Sequence, residues 1–273
     1  DPNRLSLWKG ATILGVISSL AWGLGYFGQP HIIVRFMAIK TVKETKEARR
    51  IGIGWMALSL IGAMCTALIG IAYFQQNPQL KLTDPEAIFI ELGQIIFHPF
   101  IAGIMLAAIL AAVMSTISSQ LIVTSSALIE DLYKAIIKSD AKDKTYVLLG
   151  RISVLFVSLI ALGFAWGKTD TILKLVSFAW AGFGASFGPI ILLTLYWRKI
   201  TNIGALSGMI VGAITVLIWG MTPVLTDTLY EIVPGFLLNL FITIIVSKAT
   251  YKENTTIEAE FDETITLLKK ERS

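Results

Sequence analysis

Seven stretches of this chain carry no charged side chain, and they constrain its folding more than any other feature. They cover residues 10–34, 51–80, 99–129, 152–167, 175–197, 200–226 and 232–247. A helix rises about 1.5 Å per residue and the hydrocarbon core of a bilayer is about 30 Å thick, so about 20 apolar residues cross it. In lipid each backbone N–H and C=O must find its partner inside the segment, which selects helices. The two shortest runs can borrow neutral flanks such as Tyr146 to Gly150. The chain therefore reads as an all-α membrane protein of about seven spans, with a transmembrane part over 1–250 and a polar tail over 251–273. Composition agrees: 55% of the 273 residues are hydrophobic, 15% are charged, and mean hydropathy is +0.71. Such a chain is neither disordered nor an ordinary soluble enzyme. Its one cysteine, Cys65, excludes an internal disulfide and hence a disulfide scaffold. A start at Asp1 rather than Met suggests a piece of a longer protein.

The net charge of +4 resembles a nucleic-acid signal until the charges are placed between the runs. Arg35, Lys40, Lys43, Lys46, Arg49 and Arg50 follow the first run, whereas Phe74 to Pro99 holds only Lys81. Lys134, Lys138, Lys142, Lys144 and Arg151 follow the third run, Arg198 and Lys199 the fifth, and Thr222 to Glu231 has no base. Lys168 is the mildest exception. Cytoplasmic loops concentrate Lys and Arg, so this alternation predicts an N-terminus outside and a C-terminus inside. In the outer connection, Asp84-Pro85-Glu86 predicts a helix start, followed by a short amphipathic helix over Ala87 to Phe97. The tail repeats Ile257, Phe261, Ile265 and Leu268 at helical spacing; a peripheral helix and disorder are both open there.

No enzyme is legible. His31 and His98 lack partners at metal-ligand spacing, no phosphate loop is present, and no carboxylate sits mid-span. What remains is oxygens, aromatics and interrupted helices. Near Met114, at the middle of the third run, Ala112, Ser115 and Thr116 share one helix face. Two hydroxyls and a carbonyl form an uncharged oxygen cluster of the type a hard cation such as sodium takes, with further ligands supplied by another helix. The alternative is back-bonding to the preceding turn, or packing, which also accounts for Ser118, Ser119, Ser125 and Ser126. In the first run, Trp22-Gly23-Leu24-Gly25-Tyr26-Phe27-Gly28-Gln29-Pro30 interrupts a helix. A restart near Pro30 would aim free amides at a carboxylate, with Trp22 and Tyr26 covering a small ring and its cationic nitrogen. A simple kink with packed aromatics is the other reading. Trp180 to Pro189 reads as a second glycine-rich break or as a close helix contact.

Four of these stretches resemble the sodium:solute symporter family. They are Gly25 to Ile33 with Arg35 to Ala38; Ile109 to Thr116 with Ser125-Ser126-Ala127 and Glu130 to Tyr133; Trp180 to Pro189; and Thr194-Leu195, Lys199, Gly204-Ala205, Gly208 and Gly212. The first stretch is similar to the branch that carries proline. The resemblance implies the second half of a five-plus-five inverted-repeat amino-acid transporter fold plus two extra helices, with the first six spans missing. It implies sodium-coupled symport of L-proline across a bacterial cell membrane, with Na⁺ as coupling ion, no other cofactor and no nucleic-acid partner. By position it assigns Ala112, Ser115 and Thr116 to sodium and Trp22, Tyr26 and Pro30 to the substrate cavity. Another carboxylate solute such as pantothenate, or a membrane sensor module, are the rival readings.

Overall fold

The computed structural model describes residues 10–137, 143–167 and 171–270; Lys138, Lys142 and Lys168, used above for topology, lie outside the described residues. Among the described residues every regular element is helical. In chain order they are α1 (Ile13–Ala21), a 3-10 segment (Trp22–Gly28), α2 (Pro30–Met37), α3 (Val42–Gln76), a 3-10 turn (Pro85–Ala87), α4 (Ile88–Ile96), α5 (Pro99–Ser126), a π segment (Ala127–Tyr133), α6 (Lys134–Ile137), α7 (Asp143–Trp166), α8 (Ile172–Tyr196), α9 (Asn202–Gly220), α10 (Pro223–Thr226), α11 (Ile232–Thr250) and α12 (Thr255–Lys270). Among the described residues six helices are long and apolar enough to cross a membrane: Lys43–Gln76, Pro99–Tyr133, Lys144–Trp166, Ile172–Tyr196, Asn202–Gly220 and Ile232–Thr250. The first of the seven runs differs. Its apolar helical stretch, Ile13–Gly28, is shorter, and the chain restarts as α2.

Side-chain oxygens start many of these helices, because the first amides of a helix have no partner within it. Thr12, Thr41, Thr171 and Thr201 each accept from the amide three residues on, at 3.0, 3.2, 3.3 and 3.1 Å. Asp84 Oδ1 accepts from the Glu86 amide at 2.9 Å, with Pro85 opening the turn that leads into α4, as the sequence predicts. The tail takes the helical alternative, α12, and Asn254 Oδ1 accepts from the Thr256 and Ile257 amides at its start.

The chain divides into two compact units, Ile39–Thr169 and Asp1–Ala38 with Asp170–Ser273. In the first, α5 packs on α4 and α7, and Ser125 Oγ donates to the Gly150 carbonyl of α7 at 2.9 Å. In the second, α8, α9 and α11 pack on one another and the 3-10 segment lies along α8. Its core is built mostly from small side chains: Ala21, Ala181 and Ala185 with Val216 and Ile232. Lipid tails are as apolar as leucine, so helices in a membrane associate by close backbone approach rather than by hiding bulk. On α9, Gly204, Gly208 and Gly212 form one face; an added methyl would collide with Ser247, with Thr243, and with the Ala185 carbonyl.

α8 corrects one of the two readings of Trp180 to Pro189. The helix is unbroken through it, with Pro189 inside. Pro189 has no N–H to offer the carbonyl four residues back. Asn239 Nδ2 of α11 supplies the missing donor, bonding the carbonyls of Ala185 and Ser186 at 2.7 Å each. The glycines are contact points: a Cβ at Gly184 would sit 2.6 Å from Gly25 Cα, and one at Gly188 would sit 2.8 Å from the Phe236 ring.

Candidate functional site

The real break is in the first run. Trp22–Gly28 winds as a 3-10 segment, Gln29 is extended at φ −86° and ψ 112°, and α2 begins with Pro30 at its first position. Proline pushes the residue before it out of the helical region while being tolerated at a helix start, so Gln29-Pro30 ends one element and opens the next. Gly25 and Gly28 are buried because α8 occupies the space of their absent side chains: Trp180 at Gly25 and the Phe183 carbonyl at Gly28. Side-chain hydrogen bonds tie the broken segment to α8. Trp180 Nε1 donates to the Trp22 carbonyl at 2.9 Å, and Gln29 Nε2 donates to the Trp180 carbonyl at 3.3 Å.

Four aromatic rings gather here. Trp22 stacks on Trp180 with centroids 5.5 Å apart and planes 14° from parallel, and on Tyr230 at 6.2 Å and 15°. Tyr26 meets Trp180 edge-on at 4.8 Å and 84°, leaving its own ring 43% exposed. Pro30 is half-buried beside them in sequence. The amides of Ile32 and Ile33 both donate to the Gln29 carbonyl, at 3.0 and 3.1 Å, so the first turn of α2 is closed locally. The predicted substrate residues Trp22, Tyr26 and Pro30 thus lie on one broken segment. Trp22 is engaged by protein rings, and Tyr26 is the aromatic with an open face. In the sequence Trp180 stands only within a glycine-rich run, and Tyr230 carries no local signal.

The predicted ion residues lie on α5 in the other unit. Ala112, Ser115 and Thr116 are all exposed there. Thr116 Oγ1 donates to the Ala112 carbonyl at 3.2 Å and Ser119 Oγ to the Ser115 carbonyl at 2.9 Å. A hydroxyl that donates to a carbonyl keeps its lone pairs for a cation, so this back-bonding leaves the Thr116 oxygen able to act as a ligand. Of the serines read as packing residues, Ser125 is buried at the α5–α7 contact.

The apolar helical spans and the glycine-proline break mark an all-helical membrane protein, and comparison with known proteins names its family. Residues 9–212 match the sodium:solute symporter family, and the chain belongs to that family. It is 58% identical over 263 residues to the high-affinity proline transporter PutP of Bacillus subtilis (strain 168), covering 96% of this chain and 55% of that protein. It is 50% identical over 277 residues to sodium/proline symporter 2 of Staphylococcus saprophyticus, covering 98% and 54%. The sodium/proline symporter of Staphylococcus aureus is 51% identical over 271 residues, covering 96% and 53%. The chain spans about half the length of these relatives. No solved structure matches it.

Proposed function

We propose that this chain forms part of a sodium-coupled symporter that carries L-proline into the cell. The observation that carries the reading is the near-complete coverage of the chain by relatives named as proline transporters or sodium/proline symporters. The broken segment supports it, because irregular backbone at membrane depth belongs where it lines a cavity or is buried in protein. Tyr26 offers a ring face to the pyrrolidine and its cationic nitrogen. Trp22 holds the frame of the cavity, and Pro30 fixes the turn. Ala112, Ser115 and Thr116 supply three oxygens to one sodium ion, and the segment of the relatives beyond this chain supplies the rest. The N-terminus lies outside, the C-terminus lies in the cytoplasm, and the spans sit in a bacterial lipid bilayer. In the inverted-repeat arrangement the first five runs form one repeat and the last two are additional.

Sodium and proline bind from outside, the helices rock, and both are released inside. One charge crossing 100 mV yields about 2.3 kcal/mol. A tenfold sodium gradient adds about 1.4 kcal/mol. Together these sustain roughly a 500-fold proline gradient without nucleotide hydrolysis.

The test is uptake of labelled L-proline into vesicles carrying the full-length protein, with sodium and then potassium outside. Sodium-dependent uptake is expected. Thr116→Ala removes a sodium ligand oxygen and raises the sodium concentration for half-maximal uptake by about tenfold or more, with Ser115→Ala acting in the same direction. Uptake that ignores sodium would remove the coupling. Competition by unlabelled pantothenate, or no uptake by inserted protein, would redirect the reading to another solute or to sensing.

A further inference from the structure

No sequence motif singles out Tyr230, yet three elements hold it. Its phenol donates to the Ser177 carbonyl of α8 at 2.7 Å, and its backbone amide donates to Ser18 Oγ of α1 at 3.0 Å. Its ring stacks on Trp22 of the 3-10 segment at 6.2 Å. Ser18 and Trp22 are four residues apart, so the hydrogen bond and the stack grip neighbouring positions one turn apart. The other side of this grip is open: a cavity of about 520 Å³ is lined by Tyr230 together with Ser18, Ser177, Lys174 and Glu231.

We propose that Tyr230 is the positioning residue of Trp22, setting the tilt and register of its indole and through it the affinity for substrate. Aromatic pairs settle in offset-stacked or edge-to-face arrangements. Tyr230 cannot slide freely, because its two hydrogen bonds point to two different helices. It therefore fixes Trp22 from the α10–α11 connection, outside the broken segment that the substrate touches. Trp180 makes the matching contact from α8, stacking on the same indole while its Nε1 holds the Trp22 carbonyl. Between them the two residues brace the Trp22 indole, and Tyr26 packs edge-on against Trp180 at 4.8 Å.

The inference rests on the reading that Tyr26 takes L-proline in a cavity framed by Trp22, and the experiment separates the two. Initial rates of labelled L-proline uptake are measured against proline concentration for the full-length protein and for Tyr230→Phe, Tyr230→Leu and Ser18→Ala, with transporter per vesicle quantified. Tyr230→Phe keeps the ring but loses the bond to the Ser177 carbonyl, and raises KM about threefold. Tyr230→Leu loses the stack and raises KM about fivefold to tenfold at a maximal rate per transporter at least half that of the parent. A residue that merely supports folding would lower the amount of inserted protein and leave KM alone. An unchanged KM in Tyr230→Leu overturns the inference. If that variant does not insert, Ser18→Ala decides instead: a KM raised about threefold supports the positioning role, and an unchanged one overturns it. Failure of the parent to take up proline would overturn the proline reading itself.

Discussion

Asn239 is fully buried among helices and makes three hydrogen bonds: its amide nitrogen donates to the carbonyls of Ala185 and Ser186, and its oxygen accepts from Thr243 Oγ1 at 2.9 Å. Its role follows from Pro189, which leaves the Ala185 carbonyl without its intrahelical amide. Replacing Asn239 by Leu strands that carbonyl, and thermal unfolding in detergent should show a loss of about 1–3 kcal/mol. Pro189→Ala returns the amide, so the same Asn239→Leu change in that background should cost about 1 kcal/mol less. Strict additivity in this double-mutant cycle would show that the two residues are not coupled. Little of this is legible in sequence: Asn239 looks like a lone amide in an apolar run, and the carbonyls it serves on α8 lie 53 and 54 positions away. Pro30 is the opposite case. Its restart of the helix depends on its own ring and on Gln29, and the reading of the first run as an interrupted helix places it there.

At the scale of elements, the α9–α11 contact depends on glycines spaced four apart. A methyl at Gly208 would meet Thr243 Oγ1, Asn239 Oδ1 and, at 3.0 Å, the Asn239 carbonyl. Backbone cannot yield as a long side chain can, so Gly208→Ala should destabilise the protein by about 1–3 kcal/mol through overpacking. Gly163 of α7 has open space around its missing side chain. Gly163→Ala should therefore be neutral or stabilising by up to about 1 kcal/mol, as alanine is the better helix former. Equal effects at both positions, read from midpoints of thermal unfolding, would remove the packing explanation. The sequence supplied Gly204, Gly208 and Gly212 as a family-like pattern and left their role unspecified. Helix starts were easier to read, because a cap such as Asp84 acts within three residues of itself.

At the scale of the whole molecule, α12 is held to the α8–α9 connection by charge. Arg198 pairs with Glu258 and, at 3.2 Å, with Asp262, while the Tyr251 phenol also donates to Glu258. Those hydrogen bonds from Tyr251 and Arg198 hold the Glu258 carboxyl below its ordinary pKa of 4.5. A lowered carboxyl pKa favours the docked form above pH 4.5, and the advantage disappears as pH falls below that value and Glu258 takes up a proton. The contacts are exposed, so salt weakens them too: the screening length falls to about 3 Å at 1 M. A spin label at Thr264→Cys, in a Cys65→Ser background, should report α12 as immobilised at neutral pH and low salt. Mobility should rise in acid, in 1 M salt and in Arg198→Ala. Unchanged mobility in Arg198→Ala would show that α12 is held by other contacts.

By itself the sequence determined that this is an all-helical membrane chain, where its apolar runs lie, and which face of α5 gathers Ala112, Ser115 and Thr116. Those properties follow from hydrophobicity and helical period, which act over one or two turns. Only the tertiary structure decided which glycine-rich stretch is a break. Trp22 to Pro30 and Trp180 to Pro189 carry the same kinds of residue, and each frees backbone groups that need partners. The first stays open as a 3-10 segment with Trp180 bonding its Trp22 carbonyl; the second stays an unbroken helix with Asn239 bonding its Ala185 carbonyl. A freed carbonyl takes its donor from whichever helix lies against it, and no window of local sequence contains that helix.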